Sequence, residues 1–276
     1  MKITIIHNIY TENPLVEQTI NLNLLALNNS NVDFQYIIFN DNGDSDLILQ
    51  TPSVKTIHDQ IRQNSIEYYY SPINYGKKKC TGGWVGAIKE GLVKNSFDNI
   101  IHNIGQDDVM TPLFYQKAKE AFEYEQNYFF TSNAFKVDEQ LKVMEIMINP
   151  NAGMDYFRPG DHFKFWFGVE NNKVTRANNG MLASGTMYRS NLHDLIGLPD
   201  LDEFEGAADF EYWARILFYG YRGTYMPMPS WYYRQSNYSA GNEIIDGKPN
   251  RGYWQQLAIE KIKEKYSKLY EERFNG

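Results

Sequence analysis

Nearly continuous apolar runs alternate along the first hundred residues with stretches whose apolar side chains recur every three or four positions. Lys2 to Ile6 reads as a buried strand, and Pro14 to Leu27 carries Leu15, Ile20, Leu24 and Leu27 at helical spacing. A second strand is predicted from Phe34 to Phe39. It stops at Asn40-Asp-Asn-Gly-Asp44, residue types that favour a turn. A helical segment around Val54 to Gln63, a strand at Ile66 to Tyr70, a helix from Trp84 to Val93 and a strand from Asn99 to Ile104 come next. Strands separated in this way by helices predict right-handed βαβ crossovers and a mainly parallel sheet, an α/β fold.

Thr111 is a predicted N-cap with Pro112 at the first helical position, opening a helix to about Tyr124. After Tyr128 to Asn133 the pattern changes, and Ala134 to Val137 with Val143 to Ile148 reads as a hairpin around Asp138-Glu139-Gln140. Residues 149–180 form a long stretch punctuated by Gly and Asn, the kind of loop that is usually functional or mobile. It contains Phe163-Lys-Phe-Trp-Phe167, which reads equally well as a buried strand. Regularity returns at Met181 to Arg189, followed by a short helix from Ser190 to Ile196 that Gly197 ends. Ala208 to Tyr219 is a strong helix with Phe210, Trp213, Ile216 and Leu217 on its apolar face and Gly220 as its stop. Thr224 to Met226 and Trp231 to Tyr233 read as strands, and Tyr253 to Phe274 as a charged amphipathic helix. No repeat or linker divides the chain. The expected organisation is one domain over 1–240, with halves 1–133 and 134–240, and a helical extension over 241–276.

Composition narrows the classes. With 276 residues, 42% hydrophobic and 15% aromatic, the chain can build a large core. A net charge of -7 provides no global attraction for nucleic acid, and Lys77-Lys78-Lys79 is the only dense basic cluster. A single cysteine, Cys80, rules out an internal disulfide and fits a reducing compartment. The N-terminus is too short and too alternating for a signal peptide, and no apolar run approaches the ~20 residues of a membrane span. A soluble, cytoplasmic protein is the expectation.

The candidate chemistry lies where the Asn99 to Ile104 strand runs into Gly105-Gln106-Asp107-Asp108. Open α/β sheets bind ligands at the carboxyl ends of their strands. Adjacent acids there repel each other unless a cation or proton lies between them, so a hard metal is a natural occupant. Asp41 follows the second strand in a comparable place, and Asp209 opens the Ala208 helix beside Glu211, with Glu205 just upstream. Each has a bland reading too: an Asx turn for Asp41, helix entry for Asp108, first-turn amides for Asp209. The five histidines form no spaced ligand cluster, so no zinc site is predicted. There is no Gly-x4-Gly-Lys-Ser/Thr phosphate loop, and Cys80 has no recognisable catalytic partner.

In their order along the chain these pieces resemble the family 2 glycosyltransferases of the GT-A fold, over roughly residues 2–238. Ile5-Ile-His-Asn-Ile-Tyr-Thr-Glu12 takes the place of the family's opening strand and loop, Asn40-Asp-Asn-Gly-Asp44 that of its base-reading carboxylate, and Asn74-Tyr-Gly76 that of its Asn-x-Gly segment. Gly105-Gln-Asp-Asp-Val-Met-Thr-Pro112 aligns with its Asp-x-Asp motif. Ala208-Asp-Phe-Glu-Tyr-Trp-Ala-Arg215 is similar to its late Glu-Asp helix, and Tyr225 to Arg234 to its closing strand and Tyr-Arg pair. The resemblance implies inverting transfer of a sugar from a nucleoside diphosphate sugar, UDP-linked by preference, to a hydroxyl acceptor on a glycan or glycoconjugate, with Mn2+ or Mg2+.

Under that resemblance Asp41 contacts the base, and Asn8 and Tyr10 line the nucleotide pocket. Asp107, with Gln106 beside it and Lys79 toward the phosphates, meets the diphosphate and metal. Asp108 binds the metal through water or caps the following helix. Asp209 is the general base, Trp213 is core and Arg215 an ion-pair partner. Trp166, Tyr156 and Glu205 are placed on the acceptor side. The sequence departs from the family at Gly105, where the first acid of Asp-x-Asp stands, and at Ala208, where the Glu of the Glu-Asp pair stands. Thr81-Gly82 stands where Arg-Asn is common, and Gln235-Ser-Asn-Tyr238 lacks the family's metal-binding histidine. Two alternatives follow: transfer to modified nucleic acid, with Lys77 to Lys79, Arg158 and Lys164 as a phosphate track, and a carbohydrate-binding protein that has lost turnover.

Overall fold

The computed structural model describes residues 1–9, 13–41, 61, 66–75, 82–148, 169–171, 173–174, 181, 183–237, 244–245 and 248–275. The predicted Val54 to Gln63 helix except Ile61, Lys77 to Lys79 and most of the 149–180 stretch lie outside those residues.

Strands β1 (Lys2–Ile9), β2 (Phe34–Asn40), β3 (Glu67–Tyr70) and β4 (Asn99–Ile104) form where the apolar runs predict them. β1 pairs in parallel with β2 and β4, and β2 with β3. Between them lie α1 (Val16–Asn28) and α2 (Gly82–Lys89). After β4 come β5 (Val109–Met110), α3 (Pro112–Phe122), β6 (Asn127–Ser132) and the hairpin β7 (Ala134–Val137) with β8 (Val143–Met147). A two-stranded ribbon, β9 (Val169–Glu170) and β10 (Lys173–Val174), precedes β11 (Thr186–Arg189), α4 (Leu192–Ile196), α5 (Leu201–Phe204), α6 (Ala208–Phe218), β12 (Arg222–Met226) and β13 (Trp231–Arg234). A second small ribbon, β14 (Ile244–Ile245) and β15 (Lys248–Pro249), leads into the C-terminal helix α7 (Asn250–Asn275).

Among the described residues the main sheet runs β12-β6-β11-β4-β1-β2-β3, with β11 alone antiparallel to its neighbours. Both faces are covered, as a parallel sheet requires. Alternation along β1 shows it: Ile3, Ile5 and Ile9 pack with α1 and α3, whereas Ile6 packs with α2, α6 and α7. The second face holds an aromatic cluster in which Trp84 stacks on Trp213 at 5.6 Å between ring centres and meets Tyr188 and Tyr212 edge-on. Ala258, Ile262, Tyr266 and Tyr270 of α7 are buried in the same cluster.

Helix ends follow local chemistry. Thr111 caps α3 by accepting from the Phe114 amide, with Pro112 next in line. The α2 helix stops at Lys89, short of the Val93 that its apolar pattern suggests. Gly91 adopts a left-handed φ of 74° there, and the Leu92 amide turns back to the Ala87 carbonyl at 3.1 Å. No helix among the described residues is long and apolar enough to cross a membrane.

A smaller sheet, β5-β13-β7-β8, continues beyond the carboxyl edge of the main one. In it β13 runs antiparallel to β5, pairing Tyr232 with Val109 and Trp231 with Met110. This register returns the chain after Tyr232 to the loop that precedes Val109.

Candidate functional site

The sheet order collects the acids at one edge. Asp41 leaves the end of β2, and its amide donates to the Ile9 carbonyl at the end of β1 (2.8 Å). Asp107 and Asp108 leave the end of β4. The α6 helix starts at this same edge, because its far end feeds through Gly220 into β12, which runs parallel to β6. A shallow hollow of about 560 Å³ lies at the opposite edge, bounded by Met1, Asn31, Asp33 and Lys119, and none of the acids lines it.

The Asp107-Asp108 loop is held from several sides. The Asn23 side chain of α1 bridges its backbone, donating to the Asp108 carbonyl (3.0 Å) and accepting from the Met110 amide (2.7 Å). The Ser184 hydroxyl accepts from the Gly105 amide (2.9 Å). The β13–β5 register brings in two further donors: Ser236 Oγ donates to Asp107 Oδ2 (2.9 Å) and the Arg234 amide to Asp108 Oδ1 (3.3 Å). The Arg234 guanidinium reaches Thr19 and Gln18. Burial lowers its pKa, while the charges of Asp107, Asp108 and Glu139 oppose that shift. A fixed cation therefore already sits beside the paired acids and relieves part of their repulsion.

The helix-capping alternative for Asp108 does not hold, because Thr111 takes that role and the Asp108 carboxylate turns to the Arg234 amide. Gly105 also acquires a reason. A Cβ there would stand 3.0 Å from Asp108 Oδ2 and 3.4 Å from Ser184 Oγ, so an acid at 105 would crowd Asp108.

Asp41 is buried, and its Oδ1 accepts from the Tyr75 amide at 2.7 Å. Asn8 is buried as well. It faces α2, donates to Asn103 and lies against Gly83. Gln106 is buried in the turn after β4. Beneath this turn His7 Nδ1 and the Tyr36 hydroxyl lie 2.6 Å apart, and His102 Nε2 lies 2.8 Å from the Ser184 carbonyl. Burial lowers both histidines to about 4, so they are neutral at ordinary pH.

Asp209 stands in the first turn of α6, half-buried, with its Oδ1 accepting from the Phe210 amide (2.8 Å). Glu205 lies in the short 3-10 turn before it. Trp213 is core, and Arg215 pairs with the fully buried Glu211. Burial works against the Arg215 charge, but the hydrogen bonds and charge of Glu211 outweigh it and hold the pKa above the usual value. The Tyr266 hydroxyl of α7 donates to Glu211 Oε1 at 2.8 Å, tying the C-terminal helix to α6. Tyr10, Lys79, Tyr156 and Trp166 lie outside the described residues, as do Arg158 and Lys164 of the nucleic-acid alternative.

Sequence reasoning passed over Asn23, Ser184, Ser236 and Tyr75. Asn23 left a signal: it falls within the apolar stripe of Ile20, Leu24 and Leu27, where a polar residue needs a buried partner.

Paired carboxylates such as Asp107 and Asp108 offer the oxygen ligands that a hard divalent cation takes. Among the described residues no three His, Cys, Asp or Glu side chains converge on a metal site. Asp107 and Asp108 are the residues that could hold such a cation.

No protein-family model matches the sequence, and neither does any curated protein compared with it. Solved structures do match. TarS 1–349 from S. aureus aligns with a TM-score of 0.55 at 15% identity, over 84% of this chain and 60% of that one. The same protein in complex with UDP-GlcNAc aligns at 0.53 and 13%, over 89% and 62%. The mannosyltransferase PcManGT from Pyrobaculum calidifontis, in complex with GDP-Man and Mn2+, aligns at 0.53 and 10%, over 87% and 58%. This chain therefore spans about 60% of the length of these three structures. The likeness shows the fold, the GT-A arrangement of a mostly parallel sheet flanked by helices.

Proposed function

We propose that this chain is a glycosyltransferase that moves a sugar from a nucleoside diphosphate donor, UDP-linked by preference, to a hydroxyl of a glycan or glycoconjugate, with inversion. One observation carries the reading: a GT-A sheet gathers Asp41, Asp107, Asp108 and the Asp209 helix at its carboxyl edge, where such sheets hold ligands. Structural neighbours in complex with UDP-GlcNAc and with GDP-Man support the donor class.

The roles follow the resemblance, and the positions of the acids at the sheet edge support them. Asp41 accepts a ring N–H of the base. Asp107 faces the diphosphate, with Ser236 orienting its carboxylate. Asp107, with Asp108 through water, would hold Mn2+ or Mg2+, and the cation would offset the charge of the leaving diphosphate. Asp209 takes the proton of the acceptor hydroxyl. The bond from the anomeric carbon to the diphosphate oxygen breaks as the bond to the acceptor oxygen forms on the opposite face. The acceptor enters on the side of Glu205, Tyr156 and Trp166. Residues 1–240 act as one catalytic domain, with 241–276 as its helical extension, in a soluble cytoplasmic protein.

The test is release of nucleoside diphosphate from a panel of UDP- and GDP-sugars with Mn2+ and sugar acceptors. Asp209→Asn should lower turnover by about 10²–10⁴-fold while leaving donor affinity within about twofold. Undiminished turnover in that variant removes Asp209 from its role, and no turnover of any donor by the unaltered protein removes the enzyme reading.

A further inference from the structure

Tyr75 and Glu90 stand outside the roles above, yet they lead to Asp41. The Tyr75 amide holds Asp41 Oδ1 at 2.7 Å. That amide is in turn held by its own side chain, whose hydroxyl donates to Glu90 Oε1 at 2.5 Å. The other Glu90 oxygen accepts from the Tyr69 hydroxyl at 3.2 Å, and Tyr69 stacks on Phe39 with 5.5 Å between ring centres. Beneath Tyr75 lies Gly86 of α2, where a Cβ would stand 2.5 Å from the tyrosine ring and 2.9 Å from Phe39, so only glycine lets the ring settle there. Glu90 follows α2 directly, at the turn that Gly91 closes. The Glu90 hydrogen bond, then burial, pushes the Tyr75 hydroxyl up to about 12, which keeps it a donor at ordinary pH.

The geometry points to Tyr75 and Glu90 as positioning residues for base recognition: through the Tyr75 amide they set the plane of the Asp41 carboxylate and thereby its preference for uracil or guanine over cytosine. Uracil and guanine each present a ring N–H that a carboxylate accepts. Cytosine presents a lone pair at the corresponding N3, which a carboxylate repels. A carboxylate free to rotate would lose the distinction, since a misaligned acceptor gains little from the N–H. The inference rests on the donor-site reading and adds the residues that give it base selectivity.

Calorimetric affinities for UDP, GDP and CDP, measured with Mn2+ on the unaltered protein, Tyr75→Phe, Glu90→Ala and Glu90→Gln, test it. Tyr75→Phe and Glu90→Ala should weaken the preferred nucleotide by roughly 3- to 10-fold, the worth of one hydrogen bond. CDP affinity should stay within about twofold, so that the ratio between them shrinks. Glu90→Gln, which keeps an acceptor oxygen, should recover most of the ratio. Comparison of UDP with GDP identifies which base is taken. A ratio unchanged in Tyr75→Phe and Glu90→Ala, or equal loss of all three nucleotides, overturns the inference. So does an unaltered protein that binds all three alike. An unaltered protein that binds none of them overturns the donor-site reading, and this inference with it.

Discussion

The two acidic ends of the proposed site are held by different forces. At the end of β4, hydrogen bonds place Asp107 and Asp108: Asn23 to two backbone groups, Ser184 to Gly105, Ser236 to Asp107 and the Arg234 amide to Asp108. At the start of α6, Asp209 takes its place from packing one turn below. Trp213 lies on Trp84, and the buried Glu211 is tied to Arg215 and Tyr266. A matched polar loop is sensitive to the loss of one donor, since a buried group left alone costs more than its bond contributed. A packed helix is sensitive to lost volume. The two ends should therefore fail separately.

The largest expected effect tests the packed end. Trp213→Ala should cost about 3–5 kcal/mol of stability, read from denaturant unfolding. In the protein that remains folded, turnover should fall while nucleotide affinity stays within about twofold. A parallel loss of nucleotide binding would break the separation.

Acid sharpens the polar end. Burial holds His7 and His102 at about 4 in the folded chain, below the ordinary value of 6.5. Between those values the unfolded chain binds more protons. Their neutral forms therefore contribute stability that is fully present above about pH 6.5 and falls as pH drops toward 4. Each contributes a slope of at most about 1.4 kcal/mol per pH unit. Urea unfolding at pH 7, 6 and 5 should show the decline, and His102→Gln should reduce its slope by one histidine's share, His7 and His193, the latter also lowered to about 4 by burial, keeping the rest. A flat profile in the unaltered protein would contradict the buried neutral state.

Asn23→Ala removes both bridges to the loop and should cost about 1–3 kcal/mol, with donor affinity falling and the unfolding of the aromatic face otherwise unaltered. Ser236→Ala is the mildest change, about 0.5–1.5 kcal/mol. It should appear as weaker binding of UDP in the presence of Mn2+, with turnover at saturating donor nearly unchanged. Stronger metal-dependent binding in that variant would mean that the serine competes with the ligand for Asp107 instead of orienting it.

Much of the fold was legible because its signals are local. Strands β1, β2 and β4 announce themselves as apolar runs, Thr111-Pro112 opens α3, and Gly197 and Gly220 follow α4 and α6 with positive φ as expected. The end of α2 was misread because Leu92 and Val93 continue the apolar spacing past Gly91, whose left-handed turn decides the matter. The acids were legible by their place after strands and before a helix. Their supports were not. Ser236 reaches Asp107 only through the antiparallel register of β13 on β5, and Tyr75 reaches Asp41 only once β2 and β3 are paired. Contacts made by residues more than a hundred positions apart, such as those of Arg234 and Ser236 with Asp108 and Asp107, leave no pattern within any window of the sequence.

The claim at the centre of this account is that the carboxyl edge of the sheet is a nucleoside diphosphate sugar site. Thermal unfolding with UDP, GDP and their sugar conjugates, each with and without Mn2+, tests it directly. At a ligand concentration about 100 times the dissociation constant, binding adds roughly 2.7 kcal/mol. UDP or GDP should raise the unfolding midpoint, Mn2+ should enlarge the rise, and Asp107→Asn should remove the part owed to Mn2+. A midpoint that no nucleoside diphosphate moves, with or without metal, would contradict it.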